Sequence, residues 1–133
     1  MAIFAGIASW YNLCNGSNGA CAAFGYPCDN NYYHVAWPRL SSTGCYRNCA
    51  PNPTLVCGDI ISIEYLCGVT QWAGVRDCCT CDEAACSLFP RCNGELFMVS
   101  GYDRPAIDCT VALFLAMGGD LADGRIPVRV TTF

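Results

Sequence analysis

The sequence predicts one small, mainly β domain with a single short helix near its end and irregular loops stapled by disulfides. Three observations carry that expectation. Thirteen of the 133 residues are cysteine, a density that in a short chain marks a disulfide scaffold folded in an oxidising compartment. The stretch "CGDIISIEYLCG" alternates Ile61, Ile63 and Tyr65 with Ser62 and Glu64, the period of two of a half-buried strand. The passage "IDCTVALFLAMGGDLADGRIPVRV" reads as strand end, capped helix, glycine stop, tight turn and strand.

Taken in order, "IFAGIASWY" (Ile3 to Tyr11) mixes β-formers with small residues and predicts a first strand. Residues Asn12 to Asn31 are rich in glycine and asparagine and hold Cys14, Cys21 and Cys28, which reads as a stapled loop. A second loop, "SSTGCYRNCAPN", holds Cys45 and Cys49. After the alternating strand come a turn over Gly68 to Trp72 and a returning strand, "AGVRDCC". Adjacent Cys78 and Cys79 point to opposite faces of such a strand, so each is expected to bond a different partner. Asp82 to Ala85 fit one turn of helix, and "ELFMVSGY" fits another strand. Near the end Thr110 is a good N-cap, Gly118 and Gly119 stop the helix, and Pro127 requires an edge or unpaired position in the last strand.

The domain is expected to span residues 1–133 with no repeat and no low-complexity segment. No apolar run is long enough to cross a membrane, and the start lacks the basic and apolar regions of a cleavable signal, which suggests a mature secreted form. Seven basic residues against eleven acidic ones, with no basic cluster, argue against nucleic-acid partners. Charged residues are only 14% of the chain, below the quarter to a third typical of a monomer's surface. That low charge and the odd number of cysteines point towards a partner-covered surface and self-association into a homo-oligomer. The spacings in "CCTCDEAACSLFPRC" lack paired C-x-x-C ligands and a nearby histidine, so disulfides are preferred to zinc; there is no phosphate-binding glycine loop, and no cofactor or metal is expected.

"GIASWY", "CGDIISIEY" followed by "GVRDCC", and the closing passage together resemble the double-psi β-barrel superfamily of expansins, barwin and rare lipoprotein A, related to family 45 glycoside hydrolases. The end of the chain carries most of the likeness: Asp108, Thr110, a short helix, then Gly124 to Val128. Cys109 departs from the leucine usual after that aspartate, and the cysteine-bearing inserts match no subfamily. The resemblance implies a six-stranded barrel with one short C-terminal helix and stapled loop insertions. It further implies an open groove holding an extended polysaccharide, peptidoglycan or cellulose-like, with Asp77 and Asp108 along it and the Ser9 hydroxyl near them.

If such a groove cleaves by inversion, Asp108 is the acid and Asp77 the base, with carboxyl groups about 6.5–9.5 Å apart. A carboxylate just before a helix feels the positive end of the helix dipole, which lowers its pKa, so a working acid there needs burial strong enough to override that effect. Asp108 also has a purely structural reading, as the group that holds the strand-to-helix junction by accepting backbone hydrogen bonds. Sugar rings stack on aromatic faces, which nominates Trp10, Trp72 and Tyr102 for substrate binding, with Tyr11 and Trp37 as further aromatics and Trp72 as the exposed one. The lone His34, in "NNYYHVAWP", reads as a structural hydrogen-bonder. Three functions remain open: a wall-polysaccharide module that binds and either cleaves or loosens its polymer, a disulfide-hardened self-associating subunit, and a barwin-like defence or protease-inhibitor protein.

Overall fold

The computed structural model describes residues 1–10, 14, 18–47, 52–65, 68–79, 87–90, 96–99 and 107–133. In chain order these form β1 (Ala2–Trp10), β2 (His34–Trp37), β3 (Arg39–Leu40), β4 (Cys45–Tyr46), β5 (Ile60–Tyr65), β6 (Thr70–Cys78), β7 (Ser87–Pro90), β8 (Leu96–Val99), β9 (Ile107–Cys109), α1 (Val111–Ala116) and β10 (Arg125–Thr132). Six strands close a barrel in the order β1-β10-β5-β6-β2-β9, and two hairpins, β3-β4 and β7-β8, stand apart from it. The ladders β1–β9 and β2–β6 are parallel and the other four are antiparallel. No helix among the described residues is long and apolar enough to cross a membrane.

Alternation sets the barrel interior. Ile61 and Ile63 of β5, Ala73 and Val75 of β6, and Val35 and Trp37 of β2 are buried, and Leu113, Phe114 and Met117 of the helix region join the same core. Pro127 pairs with Ile7 on β1, and the ladder from β10 to β5 starts one residue later at Val128. The proline therefore sits where the second ladder has not begun, as its missing N–H requires.

Two sequence expectations shift. Trp72 lies inside β6 opposite Ser62 and not in a turn, because pairing with β5 begins already at Thr70. Cys78 bonds Cys45, but Cys79 keeps its thiol, buried beyond the end of β6. There it packs with the Cys14–Cys28 bridge, whose sulfurs are already committed to each other, and donates to Ala36 O at 3.3 Å. The third bridge joins Cys21 to Cys57. Cys49, Cys67, Cys81, Cys86 and Cys92, and the turn expected at Asp82 to Ala85, lie outside the described residues.

Helix α1 is anchored by one side chain. Thr110 Oγ1 accepts from Leu113 N at 3.4 Å, as an N-cap does, accepts from His34 N at 3.3 Å, and donates to Tyr32 O at 2.6 Å. Thr110 N also donates to His34 O at 3.0 Å. At the other end Gly118 takes φ +96°, the left-handed turn that stops the helix.

Thr110→Val keeps the shape but removes three hydrogen bonds and leaves the buried Leu113 N without its cap, while His34 N and Tyr32 O keep their mutual bond, so it is expected to destabilise the fold by about 1–2 kcal/mol, read from the urea unfolding midpoint. A loss below about 0.5 kcal/mol would show that the junction is held by packing alone.

Candidate functional site

Register places four residues in one row across four strands. Ser9 of β1 is opposite Asp108 of β9, Asp108 is opposite Ala36 of β2, and Ala36 is opposite Asp77 of β6. Ala36 lies between the core residues Val35 and Trp37, so this row faces away from the barrel interior. The two aspartates are separated by two strand spacings, about 9.5 Å between backbones. That distance brings their carboxyl groups within reach of the separation an inverting pair needs.

The row depends on an irregularity in β6. Between the pairs Val35↔Val75 and Ala36↔Asp77 the register shifts, so Arg76 is an extra residue on β6. Without this bulge strict alternation from Val75 would direct Asp77 into the core.

The Asp108 carboxylate accepts from the Ser9 hydroxyl. Capping of α1 falls to Thr110, leaving Asp108 two residues outside the helix. Burial pushes the Asp108 carboxyl above its ordinary range; the Ser9 bond pulls it down, Asp77 pushes it up, and Arg125 pulls it down. Desolvation thus outweighs the factors that favour the ionised form.

Backbone anchoring is the task of the other aspartate. Asp77 Oδ1 accepts from Ala20 N and from its own neighbour Cys78 N, both at 2.8 Å. Ala20 belongs to the stapled loop, which lies directly on β6: Cys21 N donates to Arg76 O at 3.1 Å. Gly19, at φ +82°, comes so close that a Cβ there would stand 2.8 Å from Arg76 O and 2.9 Å from Cys28 Cβ. The loop forms a wall over the Ala36–Asp77 end of the row, and Ala36 is fully buried beneath it. Behind the wall burial, reinforced by the charge of Asp108, pushes the Cys79 thiol well up, so it stays protonated.

The aromatics divide by burial. Trp10 donates Nε1–H to Leu121 O at 3.0 Å and packs against the core, and Trp37 is wholly buried and donates to Pro53 O at 2.8 Å. Trp72 is 59% exposed and stacks on Phe133 with ring centroids 5.2 Å apart. Tyr11 and Tyr102 lie outside the described residues.

One cluster was not anticipated from the sequence. Beside the row, Tyr32, Tyr33, His34, Trp72, Gly74 and Arg76 line a cleft of about 500 Å³. A second lobe of about 320 Å³ shares Tyr32, His34 and Arg76 with it and adds Tyr26 and Asp29. His34 Nδ1 accepts from Asp29 N at 3.0 Å, and burial, followed by the positive charge of Arg76, lowers its pKa. The neutral ring then carries its proton on Nε2. The run "NNYYHVAWP" was the available signal, since its paired tyrosines immediately precede a strand.

Solved structures share this architecture. An apo expansin from Clavibacter michiganensis matches with a TM-score of 0.55 at 19% identity, covering 99% of this chain and 50% of that one. The fold is a double-psi β-barrel. A mutant of the same expansin in complex with cellohexaose matches with the same scores. Cerato-platanin 3 from M. perniciosa matches with a TM-score of 0.53 at 12% identity, covering 98% of this chain and 94% of that one. The double-psi barrel described here therefore spans half the length of the expansin and nearly all of the cerato-platanin. No protein-family model matches the chain, and no curated protein matches it.

Because the folded Asp108 carboxyl titrates above its unfolded value, its contribution to stability is complete below the unfolded pKa and is lost as pH rises through the folded one. Asp108→Asn is therefore expected to be more stable than wild type at pH 7, with the advantage vanishing below the ordinary carboxylate range. Thermal unfolding followed between pH 3 and pH 7 checks this, and an Asn variant less stable at neutral pH would contradict it.

Proposed function

We propose that the chain is a secreted polysaccharide-binding module of the expansin kind, which holds an extended glycan across the Ser9–Asp108 end of the row and the aromatic cleft beside it, the loop wall covering the Ala36–Asp77 end. The observation that carries this reading is the row itself: hydroxyl and carboxylates at one level on one barrel face, with an exposed tryptophan and two tyrosines beside them. Hydroxyl-rich sugars suit such a mixture, because carboxylates and Ser accept and donate to ring hydroxyls while flat aromatic faces cover the C–H surfaces. The related barrel with cellohexaose supports a β-linked glucan as the first polymer to test. Three disulfides favour an oxidising, extracellular setting.

Binding without cleavage fits better than hydrolysis. An inverting base must activate a water between itself and the sugar, whereas Asp77 Oδ1 is occupied by two backbone N–H groups and overlaid by the loop. The raised pKa of Asp108 favours a second reading, in which Asp108 serves as a general acid and cleavage does occur.

Cosedimentation with insoluble cellulose, chitin and peptidoglycan, combined with mass spectrometry of released sugars, separates these readings. The expected outcome is retention on at least one polymer, no sugar release, and a several-fold weaker retention for Asp108→Asn. Release by wild type but not by Asp108→Asn would replace binding by hydrolysis, and no retention on any polymer would overturn both.

A further inference from the structure

We propose that the cleft beside the row is a subsite for a carboxylate-bearing sugar, a uronic acid unit, whose carboxylate pairs with Arg76 while its ring lies against Trp72. The inference rests on the reading of this face as a glycan groove and adds the class of sugar it selects.

The placement of the cleft makes it part of the same face. His34 is opposite Gly74, and Gly74 is opposite Ile60, which forms a second row two residues along β2 from Ala36. The two rows are about 7 Å apart, and Trp72 lies roughly 15 Å along β6 from Asp77. A chain of sugars crossing the acidic row thus has neighbouring units within reach of the cleft.

The electrostatics differ sharply between the rows. The chain is acidic, with net charge −4, and the first row carries two carboxylates. The larger lobe of the cleft has no carboxylate in its lining, and its charged member is Arg76. The Arg76 guanidinium is held in place: it lies over the Tyr26 ring with 5.2 Å to the centroid and donates to Val75 O at 3.1 Å. Among the described residues no carboxylate forms an ion pair with it. Gly74 provides the bed for this side chain, since a Cβ there would stand 2.7 Å from Arg76 Nη1.

The remaining polar groups agree with an anionic guest. Neutral His34, with Nδ1 occupied, offers Nε2–H as a donor. Asp29 borders the smaller lobe and repels an anion from that side, which directs a carboxylate to the Trp72 side of Arg76. Tyr32 and Trp72 are 63% and 59% exposed; His34 stacks on the first and Phe133 on the second, which leaves the opposite ring faces for a sugar. A planar guanidinium matches a carboxylate with two parallel hydrogen bonds, a geometry that lysine does not reproduce.

The test is titration calorimetry of wild type, Arg76→Gln and Arg76→Lys with three probes: an oligogalacturonide, its methyl ester, and cellohexaose. Wild type is expected to bind the free acid about tenfold tighter than the ester, and this preference should fade at high salt. Arg76→Gln should abolish the preference, weakening the free acid far more than the ester or cellohexaose, and Arg76→Lys should keep only part of it. Unchanged near-ultraviolet circular dichroism verifies that the variants are folded. Equal affinity of wild type for acid and ester, or a preference that survives Arg76→Gln, would overturn the subsite while leaving glycan binding in place. Binding of none of the three probes by wild type would overturn the subsite and the β-glucan form of the groove reading together.

Discussion

The candidate binding face depends on one short strand being paired on both sides. At Ala36, β2 meets β6 in a parallel ladder and β9 in an antiparallel one, and those two registers bring Asp77 and Asp108 to the same level from remote parts of the chain. The small Ala36 methyl between them is buried under the stapled loop. The bulge at Arg76 is the second half of this constraint, because it turns Asp77 outward and at the same time frees Arg76 to lie along the cleft. One inserted residue thus separates the acidic row from the cleft that Arg76 lines.

The cysteines explain how a loop with little regular structure can serve as a wall. Residues 18–33 contain one 3-10 turn, Ala22–Phe24, and otherwise no helix or strand. Cys14–Cys28 closes the loop on itself, and Cys21–Cys57 ties it to the stretch preceding β5. Crosslinks of this span are each worth about 3 kcal/mol in the chain-entropy picture, a substantial share for a domain of this size. With the loop fixed, Asp77 becomes its internal strut through the Ala20 amide. The two aspartates have consequently diverged in role: Asp77 receives backbone donors, while Asp108 is desolvated and bonded to Ser9.

Much of this was legible in the sequence, for definite reasons. The period of two over Ile60 to Tyr65 and the cap, helix and glycine sequence from Thr110 to Gly118 are local signals, and they mark elements found at those places. Strand β2 was not legible, because four residues embedded among tyrosines, proline and tryptophan provide too little alternation to read. The bulge left no local trace, since its cause is pairing with β2. For the same reason the cleft at Arg76 was missed. The division of labour between Thr110 and Asp108 was half legible: threonine was seen as the cap, yet its bonds to Tyr32 and His34 join residues remote in sequence.

The central claim is that the glycan lies on the face built by β1, β9, β2 and β6. Amide and indole chemical-shift mapping during titration with cellohexaose tests it most directly. The account predicts shifts concentrated at Ser9, Ala20, His34, Gly74 and the Trp72 indole, with Val130 and Thr132 of β10 unmoved. Shifts confined to β5 and β10, or no shifts at saturating sugar, would contradict it.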